Sequence, residues 1–228
     1  MTGQPKPDLI FVTLIHQALR VDAERLVAAT STLGSAEQQR LAGVRVFFDE
    51  YRAQLGVHHT HEDNIFFPAL RAVVDESRIP VAELADQHGA LDADLQSICD
   101  GFASLANPSC DFDGEHEDVV RSMIGLAKRL DAHLRMEEES VLPLMLSAVP
   151  QTTYEKLEAQ ARKRTSGRRA RFLIPWIIEH ATPDQRKHLF KIAPPLRAAY
   201  LINRHGYRVL DRTLQLTHNP PQGQHAFD

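Results

Sequence analysis

The chain contains no apolar run long enough to cross a bilayer. Its longest uncharged apolar stretch, FLIPWII from Phe172 to Ile178, is seven residues, against the roughly 20 that a spanning helix needs. The opening MTGQPKPDLIF lacks the apolar core of a signal peptide. A cytoplasmic location with no membrane partner is therefore expected. Cysteine is scarce: Cys99 and Cys110 match no metal or redox spacing, and both are expected as reduced thiols. Aromatic residues make up 7% of the chain, with a single tryptophan, Trp176. Ala, Leu, Arg, Glu and Asp dominate instead, a composition that suits helices. With 43% apolar and 25% charged residues among 228, the chain reads as an ordinary globular protein of one large domain or one domain plus an extension.

Charge is unevenly placed. Residues 1–150 hold 12 Lys+Arg against 24 Asp+Glu, whereas residues 151–228 hold 14 against 6. The break predicts a boundary near Pro150, with a domain over 1–150 and a basic extension over 151–228. The simplest use of opposite charges is docking of the extension on the domain. Binding of nucleic acid or of a membrane surface by the extension is the sharper alternative; neither partner is expected.

One pattern occurs twice. HHTHEDNIFFPAL and AHLRMEEESVLPLM both carry a His, a Glu four residues on and a Pro six residues after that: His58, Glu62, Pro68 and His133, Glu137, Pro143. Residues four apart share a helix face, so each pair presents an imidazole and a carboxylate to one point. Each has an upstream partner, His16 and His88, both within His-x-Ala-Leu-x-x-Asp ending at Asp22 and Asp94. Residues 1–150 thus look like two copies of one αα-hairpin.

These residues lie on apolar stripes. His58 shares its stripe with Tyr51, Leu55, Ile65 and Phe66, and His133 shares its own with Leu126, Leu130, Val141 and Leu144. A lone His on such a stripe is commonly a hydrogen-bonded core residue. A buried unpaired carboxylate is costly, however, and a pair of cations removes that penalty. His59 and Asp63 form a parallel pair one residue further round the helix, read as surface or as support for the ligands. His61 is expected to face away.

Helix signals predict four long helices: Asp8 to Leu33; from Ser35, with Gln38 completing a capping box, through the first motif to a break near Pro68; Pro80 to Leu105; and from an Asp113 cap to Val149, disturbed at Pro143. Short connections make an up-down-up-down four-helix bundle. In the extension, Pro175, Pro183, Pro194 and Pro195 are expected to cut short helices that pack through Trp176, in one reading as an end cap over the metal site. His180, His188, His205, His218 and His225 read as surface residues, and the last ten residues as disordered.

The set His16, His58 with Glu62, His88, and His133 with Glu137 resembles the hemerythrin-like, HHE cation-binding family, over about residues 8–149. The extension resembles those on actinobacterial members. The resemblance implies an all-α bundle holding two iron ions with an oxo or hydroxo bridge. Glu62 and Glu137 would be carboxylate bridges, and His16, His58, His88 and His133 terminal ligands; zinc or manganese also suits such donors. Where oxygen carriers have a second His on the third helix, this chain has Asp92, a candidate extra ligand. Glu138 lies one step beyond Glu137, where the carriers place a carboxylate. Fewer imidazoles and more carboxylate favour the ferric state. The expected function is therefore reaction with a small oxidant, with H2O2 turnover of the catalase or peroxidase type preferred. Reversible O2 or NO binding is one alternative, and an interaction protein working through the basic extension is another. Tyr51 is a candidate hydrogen-bond donor to the bound oxidant. The electron donor is not specified by these residues.

Overall fold

The computed structural model describes residues 5–215, which are helical with no strand among them. Four long helices form the bundle: α1 (Ile10–Ser31), α2 (Gln38–His61), α4 (Val81–Leu105) and α5 (Phe112–Met136). They pack in the order α1–α2–α4–α5 and close back on α1. Short helices α3 (Phe67–Arg71) and α6 (Leu142–Ala148) follow α2 and α5. The extension supplies α7 (Gln151–Arg164), α8 (Gly167–His180), α9 (Pro183–Ile192) and α10 (Pro195–Asp211).

Helix ends depart from expectation in small ways. The Ser35–Gln38 capping box does not form. Glu37 Oε2 instead accepts from the Gly34 backbone amide at 2.9 Å, and Gln38 Nε2 donates to the Ser35 carbonyl at 3.1 Å. The fourth long helix has Asp111 rather than Asp113 at its N-cap position, and that side chain makes no capping hydrogen bond. Pro175 does not cut its helix: α8 runs through it from Gly167 to His180, and of the four prolines Pro183 and Pro195 begin new helices, with Pro194 at the N-cap of the latter. A capping box does occur at Thr182 and Gln185.

Both motif prolines mark the same distortion. After His61 the chain makes one π-turn, Glu62–Phe66, and the Phe67 amide bonds back five residues to the Glu62 carbonyl. After Met136 it makes another, Glu137–Val141, and the Leu142 amide bonds to the Glu137 carbonyl. Proline has no N–H and its ring crowds the preceding turn, so the helix widens just before Pro68 and Pro143. Such bulges cluster at functional sites. Here each begins on the motif glutamate.

The core is mostly aliphatic, with aromatic side chains as its bulkiest members. One cluster runs along the bundle through Leu14, Leu26, Val44, Phe48, Ile98 and Leu130, and continues under the extension to Phe172 and Trp176. A smaller cluster lies past the π-turns, around Phe67, Leu70, Leu84, Met145 and Tyr154. Helices α4 and α5 approach closely at Gly101, where an added Cβ would collide with Val119 Cγ2. Gly101→Ala is therefore expected to destabilise the chain by about 1–3 kcal/mol. Gly56→Ala, whose Cβ meets nothing within 4 Å, is expected to stabilise by roughly 0.5–1 kcal/mol. Denaturant melts of the two variants check this opposite-sign pair.

The extension does not dock through bulk charge. Trp176 is fully buried and stands edge-on to Tyr51, with ring centroids 6.5 Å apart. Its indole donates to Asp22 Oδ2 at 2.6 Å, and His180 Nε2 lies 3.2 Å from Asp22 Oδ1. Arg25 joins Asp22 to Asp211 at 2.6 Å on each side. His180 is thus a partly buried docking residue, not a surface one. His188 is exposed and pairs with Asp8 at 2.5 Å, and His205 is exposed too. His218, His225 and the last ten residues lie outside the described residues. Asp94, the counterpart of Asp22 in the repeat, pairs instead with Arg129 of α5. The two half-bundles diverge here because only one carries the extension.

Candidate metal centre

Each half of the repeat delivers its motif to the centre of the bundle. The π-turns start where α2 and α5 reach it, α4 passes through it at His88, and α1 at His16. Two groups of potential donor atoms result: His16, His58, Glu62 and Glu137, and His59, Glu62, His88 and His133, each with its atoms within 4.8 Å of one another. All seven side chains are buried.

The glutamates belong to both groups. Glu62 Oε1 lies 3.1 Å from His58 Nε2, while its Oε2 lies 3.7 Å from His88 Nε2. Glu137 Oε2 lies 3.4 Å from His16 Nε2 and 3.9 Å from His58 Nε2; its Oε1 lies 3.4 Å from His133 Nε2. Each carboxylate therefore faces one oxygen to each imidazole group, as a bridging carboxylate must.

Three of the five imidazoles have their outer nitrogen engaged, whereas Nδ1 of His59 is buried without a partner among the described residues. Nδ1 of His16 meets Glu138 Oε1 at 3.0 Å, Nδ1 of His88 meets Asp63 Oδ2 at 3.2 Å, and Nδ1 of His133 meets Gln87 Oε1 at 2.9 Å. An Nδ1–H donated outward leaves the Nε2 lone pair aimed inward, the tautomer that a cation requires. Arg20 grips Glu138 with two hydrogen bonds of 2.7 and 2.9 Å. The His16 contact and this grip hold the Glu138 carboxyl down at about 2. Glu138 thus orients His16 rather than joining the centre.

Inside the centre the polar atoms have no partner. Nε2 of His16, His58, His59, His88 and His133, Oε2 of Glu62 and both oxygens of Glu137 are buried without a hydrogen bond among the described residues. So many orphaned lone pairs would be costly in a protein interior. Their chemistry, neutral imidazole nitrogen and carboxylate oxygen, fits a pair of divalent or trivalent transition-metal ions.

Three expectations need correction. Asp92 does not reach the centre; it is exposed and lines an outer groove with Arg52 and Arg168. One turn after His88 on a straight helix, it faces solvent because Leu91 and Leu95 take the inward positions. Tyr51 is fully buried, and its hydroxyl donates to the Leu19 carbonyl at 3.0 Å, so it is not free for a bound oxidant. His59 is the missed residue. It is 5% exposed and stacks on His88 at 4.0 Å. Its signal was its spacing, four residues after Leu55 and eleven after Phe48, on the same buried face. Asp63, its parallel partner, supports His88 as expected. Gln87 and Arg20 carried no motif that could flag them.

Burial sets the charge states of the metal-free centre. It raises Glu137 to about 8 and, with the Glu137 charge beside it, raises Glu62 well above the usual carboxyl range. Burial and the neighbouring imidazoles lower His133 to about 3 and His59 to about 2. The lowered imidazoles contribute stability that is complete above the usual 6.5 and lost as pH falls through the window toward their folded values. The raised Glu137 contributes stability that is complete below 4.5 and lost as pH climbs to about 8. Metal-free protein is therefore expected to melt highest in mildly acidic solution and to lose stability toward pH 8. Bound cations, which stabilise charged carboxylates and neutral imidazoles, should remove that alkaline loss. Melting temperature against pH, with and without metal, checks this.

Buried imidazoles and carboxylates from four packed helices, facing one another around shared glutamates, define a cation-binding four-helix bundle. The family described as the Hemerythrin HHE cation binding domain matches residues 11–145, more than half of the chain, and the chain belongs to that family. Similar curated proteins include the DNA mismatch repair protein MutL of Bacteroides fragilis (strain YCH46), 26% identical over 130 residues, which are 57% of this chain and 21% of that protein. Two zinc finger proteins named BRUTUS-like from Arabidopsis thaliana are 26% and 24% identical over 194 residues, covering 82% and 78% of this chain. The chain spans 21% of the MutL protein and 15% of each BRUTUS-like protein. No solved structure matches it.

Proposed function

We propose that the seven side chains hold two adjacent cations, preferably iron, and that the filled centre turns over a small oxidant, hydrogen peroxide first. Glu62 and Glu137 would bridge. His16 and His58 would complete one position, and His59, His88 and His133 the other. An iron pair supplies two-electron redox chemistry with peroxide.

The observation that carries the peroxide reading is the support behind the imidazoles. His16 and His88 are backed by the carboxylates of Glu138 and Asp63. That contact makes an imidazole a stronger, more anionic donor. Together with two buried carboxylates it favours the higher metal charge, and an oxidised pair suits peroxide better than reversible dioxygen binding. His59 brings the imidazoles to five, so a shortage of histidine no longer supports the reading; the anionic backing does. The two-imidazole position offers fewer protein donors, and an oxidant would enter there. Phe67, which lies 6.3 Å from His88 between ring centroids, and the surrounding aliphatic clusters keep bulk water out.

Oxygen evolution from peroxide by the iron-loaded chain tests this. The wild type should evolve oxygen well above a His58→Ala variant. Equal rates would end the peroxide reading. A stable, reversible dioxygen or NO adduct without turnover would replace it with storage or sensing.

A further inference from the structure

The extension holds a surface that neither the metal centre nor the docking uses. Helix α10 has two apolar faces. Its inward seam places Tyr200 and Tyr207 in the core, with Leu196 and Leu210 packed partly buried against it. Its outward face presents Leu201, Ile202 and Val209 at 50%, 78% and 51% exposure, and Ile192 at the end of α9 adds a fourth exposed aliphatic at 45%. Ile202 and Val209 are seven residues apart, two turns along one face.

The surrounding charge has one sign. Between Asp184 and Asp211 the chain has six Lys and Arg residues and no carboxylate. Lys187, Lys191, Arg197 and Arg204 are exposed, and none makes an ion pair among the described residues; Arg208 alone pairs, with Glu179. The extension covers the α1–α2 side of the bundle. The far side, α4 and α5, exposes Glu83, Asp86, Asp100, Asp113, Glu117 and Asp118. The molecule is therefore polarised, basic and aliphatic on one side and acidic on the other.

We propose that the outer face of α10 docks the chain peripherally on an anionic lipid bilayer. A basic amphipathic helix lies in the interface with its aliphatic side chains in the acyl boundary and its cations among the headgroups. Both halves of that description are present here. A nucleic-acid backbone would use the cations and leave Ile202 without a role. The acidic α4–α5 side would be repelled from the same lipids, which orients the molecule with α10 down. This use of the net positive extension is independent of the metal centre.

Co-sedimentation of the full chain with vesicles tests it. Vesicles of phosphatidylcholine with phosphatidylglycerol should pellet several-fold more protein than phosphatidylcholine alone, and added salt should reduce the difference. Ile202→Asp should abolish pelleting while leaving the thermal melt unchanged, since the side chain is 78% exposed. Arg204→Glu should weaken it. Equal pelleting with both lipids, or undiminished pelleting of Ile202→Asp, overturns the proposal. So does a wild type that ignores vesicles but binds duplex DNA, or that self-associates through Ile202 without binding lipid.

Discussion

Glu137→Gln is expected to cut the cation content of the loaded chain from two to one or none, and Glu62→Gln to do the same. Each glutamate turns one oxygen to each imidazole group. A glutamine keeps the volume but offers one neutral oxygen, and its NH2 cannot bind a cation. Both positions therefore lose a donor and an anion at once. His58→Ala removes a donor from one position only, so its effect is smaller and confined to one cation. The same substitutions are expected to act in the opposite sense on metal-free protein. Removing a buried carboxyl that burial holds at about 8 should stabilise the chain above that pH, by on the order of 1–4 kcal/mol. Metal analysis and melts in chelator measure both. Retention of two cations by Glu137→Gln would show that the carboxylates do not bridge.

Loss of the Asp22–Trp176 contact should be the largest purely structural effect. Trp176 is fully buried, and truncating such a side chain to Ala costs about 3–5 kcal/mol. Asp22→Ala should cost a similar amount, about 3–5 kcal/mol, because it leaves Arg25, His180 and the indole N–H without their shared acceptor. The two share one hydrogen bond, so the double variant should cost clearly less than the sum. A denaturant double-mutant cycle checks this, and strict additivity would contradict it. The same contact bears on the alternative of an interaction protein working through the basic extension. Phe172, Trp176, Ile177 and Ile178 belong to the main core, so deleting residues 151–228 would strip the α1–α2 face. A truncated chain is not expected to keep its fold or its metal.

Much of this was legible from residue spacing. The duplicated His-x-x-x-Glu located the glutamates, and its recurring proline marked the π-turns, because a missing N–H acts through local geometry. The upstream repeat located His16 and His88, which the structure brings to the same centre. Spacing failed where tertiary context decides. Asp92 sits one turn from His88 but loses the inward direction to Leu91 and Leu95. His59 looked like the weaker of two neighbours, yet the buried face of α2 is broad enough for both. Asp22 appeared only as the end of a repeat; its task of holding Trp176 depends on a helix more than 150 residues away. Charge asymmetry predicted electrostatic docking, whereas packing and a few buried polar contacts do that job and leave most of the positive charge outside.

Anomalous diffraction from crystals of the iron-loaded chain tests the central claim most directly. Two iron peaks should lie between Glu62 and Glu137, one beside His16 and His58 and the other beside His59, His88 and His133. A single peak, or iron bound only outside these seven side chains, would contradict it.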